Sequence, residues 1–239
     1  MATYVLEHGG AHGGWCYQRV ARLLRAAGHE VYTPTLTGLG ERSHVLTPAI
    51  DLDLHITDVV NVLHYEDLRD VILVGHSYGG MVVTGAADRV PDRVGRLVYL
   101  DAAHPTNGQS LVDVTGGAMT AARALGEVVD GVELVILPGT VPPQFYGVTD
   151  PVDVAWMSER LTAHPWKCFE QELRLTNEDA LGAIRQYHVV CTRNVVAADR
   201  ASTERARAMG NLWVIDSGHD LMITAPQEVA DALLEIATR

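Results

Sequence analysis

Short apolar runs without polar alternation recur along this chain, separated by stretches whose apolar residues return every three to four positions. The first pattern suits strands buried on both faces of a sheet, and the second suits helices laid over that sheet. The expected class is α/β, with a mostly parallel central sheet and helices on both faces. Thr3–Glu7 reads as a strand that runs into the glycine-rich turn His8–Gly14. Trp15–Ala27 carries Val20, Leu23, Leu24 and Ala27 at helical spacing and stops at Gly28. Glu30–Thr33 is a short strand closed by Pro34, and Leu36–Pro48 is a loop. Asp51–Tyr65 places Ile56, Val59, Val60 and Leu63 on one helical face. Asp70–Val74 is continuously apolar, and a helix over Gly80–Val90 follows it. Gly95–Leu100, Tyr187–Cys191 and Asn211–Ile215 read as the remaining strands. Thr224–Ala237 is the closing helix, with Thr224 as N-cap, Gln227 three residues on and Pro226 in the first turn.

Between about His104 and Arg185 this rhythm fails. A Pro- and Gly-bearing centre, Leu137–Gly147, is flanked by helical segments, one of them running from Asp150-Pro151 to Leu161. The insert is expected to cap the carboxyl edge of the sheet, where open α/β sheets bind ligands. Residues 1–239 then form a single domain that includes this helical cap.

Composition narrows the function. Lys plus Arg number 18 against 30 Asp plus Glu, a formal charge of −12, and a nucleic-acid partner would need a basic face. The three cysteines, Cys16, Cys168 and Cys191, have no metal-ligand spacing and do not suggest a disulfide framework. No basic segment followed by an apolar run marks a signal peptide, and no stretch approaches the roughly 18 apolar residues of a membrane span. A cytoplasmic protein with no metal, no cofactor and no membrane partner is expected. A homodimer is left open.

The candidate chemistry begins at Gly75-His76-Ser77-Tyr78-Gly79, a Gly-x-Ser-x-Gly elbow with a buried strand before it and a helix after it. Such a turn strains the serine and raises its hydroxyl above the sheet, with a helix N-terminus aimed at it. Acyl transfer also needs two backbone N–H groups where the carbonyl oxygen becomes negative. Tyr78, following the nucleophile, and Gly10, in the first loop His8-Gly9-Gly10, are the expected oxyanion donors.

Val5–Cys16, Val71–Met81 and Gly218-His219-Asp220 resemble the hydroxynitrile lyase and methylesterase branch of the α/β-hydrolases, which includes plant salicylate methylesterases and bacterial esterase-like members. The likeness covers nearly the whole chain, including the cap phrases Gly147–Pro151 and Arg160–Pro165. It implies the α/β-hydrolase fold, a small acyl or cyanohydrin substrate under a helical cap, and no cofactor. This fold orders its triad Ser, acid, His. His219, in the loop between the last strand and the last helix, is the expected base. His76 is expected to point away along the turn, while His8 and His12 brace the oxyanion loop. Lyases of this branch tend to carry threonine after the first-loop histidine, glutamate before the serine and lysine after the catalytic histidine. Gly9, His76 and Asp220 stand there instead, which favours an esterase.

The acid departs from the family. Where the resemblance implies the catalytic aspartate, after Val190-Cys191-Thr192-Arg193, this chain has Asn194. Asn194 could accept the Nδ1 proton of His219 through its oxygen, less effectively than a carboxylate. Asp101, at the end of the strand after the nucleophile helix, is an alternative acid, with capping of the strand–cap junction as its plainer role. Asp199 is a third candidate. Glu7, usually apolar in the family, is either held by loop groups or faces the substrate or the histidine. The expected activity is hydrolysis of a small carboxylic ester through an acyl-enzyme on Ser77. Cap residues Trp156, Phe145, Tyr146 and Leu137 are candidate pocket walls. Asn194 keeps two alternatives open, a non-hydrolytic lyase, elimination or cyclisation enzyme and a small-molecule binding protein.

Overall fold

A computed structural model describes residues 1–193 and 200–239. Strand β1 (Thr3–Glu7) leads through a short 3-10 turn, Gly14–Tyr17, into helix α1 (Gln18–Ala26), and β2 (Glu30–Tyr32) follows. Helix α2 (Leu52–Tyr65) starts at Asp51, whose carboxylate accepts the Leu54 amide as an N-cap. Next come β3 (Val71–His76), α3 (Gly79–Arg89) and β4 (Val94–Leu100).

Among the described residues the main sheet has the order β2-β1-β3-β4-β8-β9, where β8 is Arg185–Cys191 and β9 is Leu212–Ile215, and every adjacent pair is parallel. Successive side chains of a strand face opposite sides, and here both sides are buried. Tyr4, Leu6, Ile72, Val74, Val98 and Leu100 pack under α1 and the closing helix. Val5, Val71, Leu73, Leu97 and Tyr99 pack under α2 and α3. Full burial of one such aliphatic side chain is worth about 1.5–3 kcal/mol. This double burial explains why the strands read as unbroken apolar runs.

Two expectations need correction. The C-terminal segment is two helices, Leu221–Thr224 and Pro226–Ala237. Thr224 ends the first of these and is not the N-cap of the second. Its hydroxyl is held by the Asp220 carbonyl and by the Ser217 hydroxyl, which leaves it unavailable for capping. The cap is also not wholly helical. It holds an antiparallel sheet of β5 (Glu127–Val129), β6 (Val132–Val135) and β7 (His164–Pro165) beside helices such as Pro151–Ser158. The turn at Asp130-Gly131, both with positive φ, folds β5 onto β6. No helix among the described residues is long and apolar enough to cross a membrane.

Candidate active site

Parallel register brings the ends of β3 and β4 side by side. His76 pairs with Leu100, so Ser77 and Asp101 are the next residues on neighbouring strands. Both leave the sheet with positive φ, 52° for Ser77 and 46° for Asp101. Such dihedrals are costly for residues with a Cβ and persist only where surrounding structure enforces them. Around Ser77 that enforcement is visible in the packing. A Cβ on Gly75 would lie 2.6 Å from the Gly79 carbonyl oxygen, and one on Gly79 would lie 2.6 Å from that of His8. The Ser77 carbonyl accepts the amides of Gly80 and Ala103, which ties the elbow to the chain just past Asp101.

His219, delivered from the loop after β9, is buried, and its Nδ1 lies 2.6 Å from Asp101 Oδ2. Asp101 thus does more than cap the strand–cap junction. Its amide donates to the Val189 carbonyl, and Oδ1 accepts the Cys191 amide at 3.2 Å. The Cys191 thiol lies 3.2 Å from Oδ2, and burial together with this carboxylate pushes its pKa up to about 12. Asp101 thereby engages Nδ1 and leaves Nε2 as the other ring nitrogen of His219. Asn194 and Asp199 lie outside the described residues.

The first loop abuts Ser77. A Cβ on Gly9 would lie 2.8 Å from Ser77 Cβ, so the loop passes in direct contact with the serine. Among the described residues neither the Gly10 nor the Tyr78 amide donates to another protein group. His8 Nδ1 donates to the Gly9 carbonyl at 2.8 Å, and His8 Nε2 accepts the Leu36 amide at 3.1 Å. This ring is therefore neutral, and burial lowers its pKa to about 3. It holds the very peptide whose N–H is that of Gly10.

His76 corrects another expectation, because it does not point away. Its ring centroid lies 4.7 Å from that of His219, and Nε2 donates to the His219 carbonyl at 3.0 Å. Burial, with His219 alongside, lowers its pKa to about 3. Glu7 is fully buried and accepts the His8 amide through Oε1, so loop groups hold it. Its Oε2 has no partner among the described residues, and burial raises its pKa well above the usual carboxylate range.

Of the expected pocket walls, Tyr146 faces His219 with ring planes 19° apart, whereas Phe145 is exposed. Trp156 packs edge-on against Trp15, with Arg19 and Arg160 over its ring. Phe169 and Ile136, which the sequence reading missed, crowd Gly10. A Cβ there would meet Phe169 Cζ at 3.1 Å and Ile136 Cδ1 at 3.4 Å. No local pattern marks either residue, since each sits in the cap and reaches Gly10 only through the fold.

His55, His164 and Cys168 bring candidate ligand atoms within 4.8 Å of one another, all buried. This cluster suits a metal poorly. His164 Nδ1 accepts the Ala11 amide, so its proton sits on Nε2, and the ring has no lone pair to give. The Tyr78 hydroxyl, bonded to His55 Nδ1 at 3.0 Å, already engages that histidine.

Comparison with known proteins places the chain in a family. Residues 4–232 match the model of the Alpha/beta hydrolase family. The chain is 36% identical to a carbendazim hydrolyzing esterase of Nocardioides sp. (strain SG-4G), with 98% of each chain covered. It is 26% identical to salicylic acid-binding protein 2 of Nicotiana tabacum, over 98% of this chain and 96% of that one. Among solved structures, a methylesterase from Arabidopsis superposes with a TM-score of 0.79 at 23% identity, covering 100% of this chain and 99% of that one.

Proposed function

The chain belongs to the Alpha/beta hydrolase family, and on that footing we propose that it hydrolyses small carboxylic esters, with Ser77 as nucleophile and His219 as base. The esterase and methylesterase names of its relatives support the reaction class. The observation that carries the mechanism is the 2.6 Å contact between His219 Nδ1 and Asp101 Oδ2. A carboxylate on Nδ1 fixes the tautomer that presents Nε2 to a nucleophile and stabilises the imidazolium once formed.

In the proposed cycle, Nε2 takes the Ser77 proton as the oxygen attacks the ester carbonyl. The Gly10 and Tyr78 N–H groups receive the oxyanion, at the amino end of α3 where the helix dipole favours negative charge. Collapse of the tetrahedral intermediate expels the alcohol, which takes the proton from His219. Water then attacks the acyl-enzyme with His219 again as base, and the carboxylic acid leaves. Phe169, Ile136 and Tyr146 make the surroundings of the reacting carbon apolar, which favours esters with an apolar acyl or alcohol part. The lyase, cyclase and binding-protein readings rested on the loss of an acid, and the Asp101–His219 contact supports the esterase reading over them.

Turnover of p-nitrophenyl acetate by the wild type and by Ser77→Ala tests the proposal. The wild type is expected to release p-nitrophenol in a burst stoichiometric with enzyme, and Ser77→Ala to lose at least about 10³-fold in rate. Undiminished hydrolysis by Ser77→Ala overturns the mechanism. Methyl esters and carbendazim are the substrates to compare next.

A further inference from the structure

His12 stands two residues after Gly10, and Asp220 directly follows His219, so each adjoins a group on which the proposed chemistry depends. They meet inside the protein. His12 Nε2 lies 3.0 Å from Asp220 Oδ2, and His12 Nδ1 lies 2.6 Å from the Gly10 carbonyl oxygen. Both residues are at most 1% exposed. A carbonyl and a carboxylate can only accept, so each ring nitrogen must carry a proton. An ionised Asp220 thus makes His12 an imidazolium with Asp220 as its counter-ion, the direction in which each shifts the other's pKa.

The surroundings hold the pair in place. Trp15 stacks on the His12 ring, and Tyr146 and His76 meet it edge-on. The Asp220 amide donates to the Tyr146 carbonyl. Asp220 Oδ1 has no hydrogen-bond partner among the described residues and lies 3.8 Å from His76 Nε2, the same nitrogen that donates to the His219 carbonyl. Besides His76 and His219, the titratable groups facing the pair are His8, His164, Cys16, Tyr17 and Tyr146. Burial opposes the charge on both members, yet Asp220 raises the pKa of His12, and His12 lowers that of Asp220.

We propose that the buried His12–Asp220 ion pair is a positioning device that ties the oxyanion loop to the histidine loop, and so sets the placement of the Gly10 N–H relative to His219. The inference rests on the esterase reading. Reaction rates depend steeply on such placement, since a displacement of about 1 Å can cost about 100-fold. The donor and the base are both used most in the transition state, so the effect belongs in kcat.

The test uses Asp220→Asn, which keeps an oxygen for Nε2–H but removes the charge that holds the second proton of His12. The expected result is a fall in kcat of about 10- to 100-fold with KM within about threefold. The kcat/KM profile should gain a descending limb at rising pH, as His12 loses its proton. His12→Gln should lose kcat similarly and lack that limb. Histidine nitrogen NMR of the wild type gives a readout independent of any variant, because one doubly protonated imidazole should persist at pH 8.5. The inference is overturned by folded Asp220→Asn with wild-type kcat and an unchanged pH profile, by a loss confined to KM, or by only neutral histidines at pH 8.5. Ser77→Ala separates the two readings. If it retains turnover, the Ser77 mechanism of the esterase reading falls, whereas an inactive Ser77→Ala beside a normal Asp220→Asn sinks this inference alone.

Discussion

Asp101 and His219 lie 118 positions apart in the chain, yet Oδ2 of the first sits 2.6 Å from Nδ1 of the second, with both side chains buried. The contact favours Asp101 as the acid of the candidate triad. A family pattern that expects aspartate after β8 finds Asn194 there, while the carboxylate is supplied from the end of β4, next to Ser77 in the sheet.

Replacing that carboxylate should cripple the chemistry and spare the fold. An Asp-to-Asn change in a serine-protease triad costs about 10⁴ in kcat, and Asp101→Asn is expected to lose about 10³- to 10⁴-fold. Asn194→Asp should change kcat by less than about threefold, because His219 Nδ1 already has its carboxylate. Steady-state kinetics on one ester measures both, and a large gain from Asn194→Asp would return the acid to position 194.

Acid should destabilise the fold before its ordinary carboxylates are protonated. Burial lowers the pKa of His8 and His76 to about 3 and that of His55 to about 4, and holds His164 well below its ordinary value. In the unfolded chain these four titrate near pH 6.5. Between that pH and their folded values the unfolded state binds more protons, so stability falls as pH falls. Each group contributes up to about 1.4 kcal/mol per pH unit across that window. Urea unfolding at pH 7.5, 6 and 5 should show a steep loss, and a flat profile would contradict the neutral, buried assignment.

The thiols should be silent in the native state. Cys16, Cys168 and Cys191 are all free and buried, and burial raises each pKa. Thiolates are the reactive species. Ellman's reagent at pH 8 is expected to find fewer than one thiol per chain natively and three in guanidinium. Rapid native labelling would show that one of these side chains is accessible.

Gly79→Ala tests the tightness of the elbow. Its new Cβ would lie 2.6 Å from the His8 carbonyl and 3.0 Å from that of Glu7, both backbone atoms that cannot swing aside. A destabilisation of about 1–3 kcal/mol or more is expected, together with lost activity as the first loop is pushed from Ser77. Thermal melting and turnover measured together check it, and a variant with the wild-type Tm would refute the contact.

The strands, the elbow and the base loop could be read from the chain because their signals are local. An apolar run buried on both faces, a Gly-x-Ser-x-Gly turn and a histidine between the last strand and the last helix each occupy a few consecutive residues. Where signals were local but ambiguous, the reading slipped, as at Thr224, whose hydroxyl bonds Ser217 and Asp220 rather than capping a helix. The partner of His219, the inward turn of His76 and the approach of Phe169 to Gly10 had no local signal. They depend on which strand ends become neighbours and on what a Cβ-free turn leaves room for. Hydrogen bonds and excluded volume act over a few ångströms of space regardless of separation along the chain, so the sequence could offer Asp101 only as one of several acids, and the folded arrangement alone sets it against His219.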